Sequence, residues 1–223
     1  MYKYLPILFF ASVLAGCENK SADDLLIEAK KFDSTQNYSA AIQLYDKILT
    51  LDINRSDIFL RRAIDKGLTK DSQGEIQDLK EVLKSDPEDV AALFQFGIAN
   101  QHLRHYGESI ESFSKAIRIK EAEKKEANQV NLEESNSTGD ILLARIYFER
   151  GMEFYKVDSI QDAVTDFSFT INNGYSLTES YFYRGCAFLK QRKISNACVD
   201  LRASERSGMI EAKDSIAKYC MDK

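Results

Sequence analysis

Four cysteines, Cys17, Cys186, Cys198 and Cys220, and two histidines, His102 and His105, are the side chains of this 223-residue chain best suited to covalent or metal chemistry. No two cysteines stand at the C-x-x-C spacing of a zinc site, and neither histidine lies close to them in sequence. His102 and His105 could share a helix face, yet two imidazoles without a carboxylate or thiolate set read as solvated side chains rather than ligands. A nucleophile elbow, a phosphate-binding glycine loop and a paired-histidine metal motif are all missing. The chain therefore reads as a non-enzymatic protein with no cofactor. Thiol chemistry is what remains to it.

The elements that must position these residues repeat. From Tyr147 to Phe167 the chain reads YFERGMEFYKVDSIQDAVTDF, and 34 residues later it reads YFYRGCAFLKQRKISNACVDL. Each copy sets a large residue (Tyr147, Tyr181), a glycine (Gly151, Gly185), a phenylalanine (Phe154, Phe188), an alanine (Ala163, Ala197) and a large apolar residue (Phe167, Leu201) at the same intervals. Two helices joined by a short turn account for the spacing, because large side chains cross a neighbouring helix closely only opposite Gly or Ala. Leu25, Ala29, Phe32, Ala41 and Tyr45 repeat the set, with a turn at Asn37-Tyr38 and with Ile48 and Leu51 extending the apolar stripe. So do Leu93, Gly97, Asn100, Ser109 and Phe113, with a turn at His105-Tyr106-Gly107. The copy between them is weaker. It keeps Phe59, Ala63 and Leu79, but has Lys66 in the aromatic place and Glu75 in the small one, and Asp86-Pro87 closes it. Ten glycines and two prolines are too few for a turn-rich β fold.

A 34-residue helix-turn-helix period with these residue types resembles the tetratricopeptide repeat over nearly all of residues 22–221. The resemblance implies an all-α fold, an α-solenoid of about five repeats with a C-terminal capping helix, in which each hairpin buries its apolar face only by stacking on neighbours. Repeats 1–3 fall at 22–123, repeats 4–5 at 144–208 and the capping helix at 209–223, with Ala212, Ile216, Tyr219 and Cys220 on its apolar side. Leu93 and Tyr147 are 54 residues apart rather than 34, so 124–143 is an insertion. It continues the preceding charged helix, passes through turn-like residues Asn131 to Gly139, and offers Asp140 as an N-cap. A tolerated surface insertion is favoured over a partner-contacting loop.

If the chain binds a peptide, the resemblance implies a groove formed by the first helices of the repeats. The residues after the opening positions are Leu26, Leu60, Phe94, Phe148 and Phe182, and one turn on come Lys30, Ile64, Ile98, Met152 and Cys186. With Tyr155 and Tyr183, the candidate groove is Phe94, Ile98, Phe148, Met152, Tyr155, Phe182 and Tyr183, apolar and aromatic toward the C-terminus. That these side chains merely fill the gap between first helices stands as an equal alternative. The carboxylate clamp of co-chaperone relatives is missing, since its places hold Leu26, Lys30, Arg61, Ala91 and Gln95.

Lys3, an apolar run from Tyr4 to Leu14 and Leu14-Ala15-Gly16-Cys17 resemble the signal and lipobox of bacterial lipoproteins. This implies a signal peptide at 1–16 and a lipidated tether at 17–21, within a polar stretch running from Glu18 to Asp24. Cys17 would carry diacylglycerol and an acylated amine, palmitate included, and more than one chain makes attachment stable. The implied location is a bacterial envelope membrane, the outer membrane favoured, with the face left open. Lipidation of Cys17 leaves three cysteines, an odd number. A turn at Gly208 puts Cys198 ten residues before it and Cys220 twelve after, so an antiparallel pair brings them together as a disulfide with Cys186 the odd thiol. Three reduced core cysteines are the alternative.

The net charge is −5, with no basic stripe, which argues against a nucleic-acid partner. The run Lys120 to Glu126 mixes both signs and reads as a solvated helix face. Function is read as a lipid-anchored scaffold for protein or peptide partners. The alternative is a constitutive structural or assembly factor of an outer-membrane or periplasmic complex. The lipobox yields one test: Cys17→Ala should move the protein from the membrane fraction to the soluble one and abolish palmitate labelling, whereas an unlabelled wild type would end the lipoprotein reading.

Overall fold

A computed structural model describes residues 20–129 and 137–220. Cys17, the apolar run before it and most of the turn-like stretch of the insertion lie outside these residues. Eleven helices follow one another among the described residues: α1 (Ala22–Ser34), α2 (Tyr38–Leu51), α3 (Ser56–Leu68), α4 (Ser72–Ser85), α5 (Val90–His102), α6 (Tyr106–Gln129), α7 (Ser137–Lys156), α8 (Ile160–Asn172), α9 (Leu177–Lys190), α10 (Ile194–Arg206) and α11 (Ala212–Tyr219). They form five antiparallel hairpins and a cap, an all-α solenoid. Contacts run along the first helices from α3 to α5, α7 and α9, so the first helices line the inner side of the array.

The hairpins share one turn. Gln36, Lys70, Arg104, Asp158 and Arg192 all have left-handed backbones, with φ from 59° to 66°. In each case the next N–H donates to the carbonyl five residues back, Asn37 to Phe32, Asp71 to Lys66, His105 to Asn100, Ser159 to Phe154 and Lys193 to Phe188, at 2.8–2.9 Å. A side chain in that conformation costs about 1–2 kcal/mol, which these capping bonds offset. The turns therefore sit slightly earlier than the sequence suggests. Tyr38 and Tyr106 begin α2 and α6, and Gly107 lies inside α6. Glycine is needed instead at the crossings: a Cβ on Gly97, Gly151 or Gly185 would stand 2.4, 3.1 and 2.9 Å from Phe113, Phe167 and Leu201.

The odd residues of the second hairpin compensate one another. Glu75 is 2% exposed, and a Cβ on Gly67 would stand only 2.7 Å from its carboxylate, so a glycine on α3 makes the room that an alanine on α4 makes elsewhere. Lys66 reaches Asp78 at 2.8 Å, beside the Arg62 guanidinium that holds the same carboxylate. Arg62–Asp78, Arg150–Asp166 and Arg184–Asp200 form one recurring bidentate pair between the first and second helices of hairpins two, four and five.

The insertion is taken up largely as helix. α6 runs to Gln129 and α7 already begins at Ser137, so Ser137 to Gly139 are helical and Asp140 lies within the helix rather than capping it. Propagating a formed helix over a glycine costs only about 1 kcal/mol. At the far end, Cys198 and Cys220 form a disulfide across 22 residues, with Cys186 free. Closing that loop contributes about 3 kcal/mol. Ala212 and Cys220 are buried under it, but Tyr219 and, in α2, Leu51 turn outward at 42% and 61% exposure.

Burial, and then the charge of Asp71, hold the Glu75 carboxyl up to about 7. Between about pH 4.5 and 7 the folded chain keeps a proton that the unfolded chain has released, so stability falls as pH rises through that window. Burial and the neighbouring Asp33 raise Asp65 as well, in the same sense. Denaturant unfolding at several pH values should show this fall, and Glu75→Gln should flatten it in part. An unchanged slope in the variant would place Glu75 in solvent.

Candidate functional site

The inner side of α7 and α9 carries a continuous set of rings. Tyr183 lies at its centre, its ring 5.3 Å from Phe182, 5.9 Å from Phe167, 6.1 Å from Tyr155 and 6.5 Å from Phe148. Phe148 also meets Phe167 and Tyr175, each at 6.0 Å. Phe167 is buried core, while Phe148, Met152, Tyr155, Tyr175, Phe182, Tyr183 and Cys186 are half-buried. The arrangement follows from the repeat, since Phe148 and Phe182 occupy one position of successive first helices. Edge-to-face contacts of this kind hold the rings in fixed orientations. Burial, followed by Cys186, raises the hydroxyls of Tyr155 and Tyr183 above the ordinary phenol range, so both stay neutral.

Phe94 and Ile98 are not part of that surface. Phe94 is 5% exposed, packs on Phe113 at 5.8 Å and lies beneath the Arg145 guanidinium, 4.7 Å from its ring centre. It is core; Ile98 is half-buried against the same cluster and takes part in no ring contact, and Phe182 and Cys186 pack in the same way against the C-terminal core. Leu26 and Leu60 likewise pack on the N-terminal core, while Lys30 is exposed.

Polar groups that sequence reading missed border the rings. Glu153 is fully buried, bonded by Gln101 Nε2 at 2.7 Å and by Lys156 Nζ at 2.6 Å. Gln101 also reaches Glu149, whose carboxyl is raised by burial. Lys190 lies 4.5 Å over the Tyr155 ring and pairs with Asp158 at 2.8 Å. A lysine beside an aromatic ring within one turn was the available signal for Lys190; nothing in the pattern marked Glu153. His102 is exposed, and His105 Nδ1 lies 3.3 Å from Asn100 Oδ1. Among the described residues no group of His, Cys, Asp and Glu could hold a metal ion. None of their helices is long and apolar enough to cross a membrane.

No protein-family model matches the sequence, and no curated protein matches it. Solved structures do. MamA is 18% identical, with a TM-score of 0.68 over 91% of this chain and 97% of its own. YrrB, described as a TPR protein with an unusual peptide-binding site, is 13% identical, with a TM-score of 0.69 over 87% of this chain and 91% of its own. MamA from Desulfovibrio magneticus RS-1, from residue 41 to its end, is 12% identical, with a TM-score of 0.68 over 84% and 97%. At these identities the likeness shows the fold, a tetratricopeptide-repeat solenoid.

Burial pushes the Cys186 thiol up to about 11. At pH 8 iodoacetamide should therefore alkylate Cys186 at least ~10-fold more slowly than a cysteine in an unstructured peptide, with the rate still rising past pH 10. A rate that levels off near the ordinary thiol range would mean that the aromatic surface is open to water at this point.

Proposed function

We propose that the chain is a lipid-anchored, non-enzymatic scaffold of a bacterial envelope, which docks a segment of a partner protein on the aromatic inner surface of α7 and α9. The observation that carries the reading is the ring set itself. Phe148, Tyr155, Phe182 and Tyr183 are held by one another and by Phe167, yet each is only half-buried. Pre-oriented rings with neutral hydroxyls at their edges suit an anchor side chain plus a few hydrogen bonds. YrrB, of the same fold, is described with a peptide-binding site, which supports a comparable use here.

Anchoring rests on Cys17. Ser21 caps α1 through its hydroxyl, with Asp24 returning the bond to the Ser21 backbone, so the described fold starts close behind the lipidation site. Ala22 to Asp24 belong to the first helical turn rather than to a tether. Glu18 to Lys20 would then span at most about 11 Å, holding the first hairpin near the bilayer and leaving the aromatic end further out.

Phe148→Ala combined with Phe182→Ala should lower the partner recovered by crosslinking in intact cells at least ~10-fold, with a small shift in melting temperature. A fall of several kcal/mol in stability, with undiminished capture by the folded fraction, would show these rings to be core.

A further inference from the structure

Each later first helix packs on the second helix of the preceding hairpin: α3 on α2, α5 on α4, α7 on α6 and α9 on α8. α1 has no such predecessor among the described residues. The seam between α1 and α2 therefore stays open as a groove, whose lining includes Leu25, Leu44, Leu51, Lys20, Glu28 and Lys47. At the opposite end of the array α11 covers the last hairpin, with Ala212 and Cys220 buried beneath it. An antiparallel hairpin brings the start of its first helix beside the end of its second. Lys20, two residues before α1, thus lines the same groove as Leu51, the last residue of α2, and Ile53 follows two residues on. Both Leu51 and Ile53 are well exposed. The acids nearby are occupied: Glu28 pairs with Lys20 at 2.6 Å, and Asp52 accepts from the Asn54 N–H at 2.9 Å.

We infer that this end of the solenoid rests on the bilayer, with Leu51 and Ile53 at headgroup depth and the Lys47 ammonium among the lipid phosphates. The inference rests on the reading of Cys17 as the lipid anchor. The tether from Cys17 enters the fold at Lys20, on the groove itself, within about 11 Å of the acylated residue. Apolar side chains at a membrane interface enter by roughly 5–10 Å, a depth that so short a tether allows. It also holds the face at an effective concentration on the order of millimolar, so two apolar side chains keep a contact that an unanchored protein would not make.

The chain has no tryptophan, so Leu51→Trp supplies a single fluorescent reporter at an exposed position. Ser39→Trp is the control in the same hairpin, exposed near the other end of α2 and about 18 Å away along the helix. The full lipidated mature chain is reconstituted into phosphatidylcholine vesicles with or without bromine on the upper part of one acyl chain. Leu51→Trp should lose about half its fluorescence or more to the brominated lipid, and Ser39→Trp almost none. Equal quenching at the two positions, or none at either, in a chain that carries palmitate would overturn the docking and leave the anchor standing. A blue-shifted but unquenched Leu51→Trp would mean that a second copy or another protein covers the groove, which overturns it as well. A wild type without palmitate would bring down both readings.

Discussion

One ion pair, used three times, sets the geometry on which the rest depends. Arg62, Arg150 and Arg184 each donate two bonds of 2.6–2.9 Å to an aspartate sixteen residues later on the second helix of the same hairpin. The third guanidinium nitrogen reaches back to the preceding hairpin, to Asp46, Ser114 and Ser168 respectively. The aspartates are at most 4% exposed. Burying such a pair adds little net stability, since desolvation offsets most of the attraction, and burial still raises Asp166 despite Arg150 beside it. Leaving either partner alone costs roughly 3–5 kcal/mol, which penalises every register of the two helices but one. The first and third hairpins manage without it. Tyr45 donates to Asp33 in one, and Ser109 donates to the Gly97 carbonyl in the other.

The clamp also decides which way the aromatic residues face. On a helix, residues two apart point about 200° from each other. Arg150 pairs with Asp166 of α8, so Phe148 and Met152, two residues before and after it, leave the α7–α8 seam on the other flank, where Phe148 still touches Phe167. Along α9, Arg184 pairs with Asp200 of α10, and Phe182 and Cys186 flank it, half-buried against the C-terminal core. The pairs thus fix the rotation of α7 and α9, and with it the half-buried setting of the rings beside them.

Much of this was legible because steric rules are written in residue size. The alternation of Gly or Ala with a large residue located the crossings at Gly97, Gly151 and Gly185, and the period marked a break between the third and fourth copies. Counting from the turn at Gly208 paired Cys198 with Cys220, because two helices folded about a turn leave little choice of neighbour. The Arg and Asp of the clamp were visible too, sixteen apart in three hairpins, but charges in an acidic helical chain read as solvated until their partners are seen. Glu75 looked like a flaw for the same reason: its compensation, Gly67, lies on a different helix and outside the positions that define the repeat. Phe94 shares its position with Phe148, yet the Arg145 guanidinium of the next first helix covers it, and residue size at the repeat positions carries no account of a charged neighbour.

The cap explains why the open aromatic surface lies at the C-terminal end of the array. A solenoid must cover the apolar face of its last hairpin, and α11 does so with Ala212, Ile216 and the Cys198–Cys220 bridge. Hydrogen bonds fix α10 on both sides: Ser204 Oγ donates to the Thr178 carbonyl of α9 at 2.7 Å, and Arg202 donates to the Cys220 carbonyl, just past α11, at 2.9 Å. A ligand meeting Phe148 and Tyr183 therefore encounters rings that already pack on each other and on Phe167, so that their ordering cost was met on folding, the condition under which a small surface binds with useful affinity.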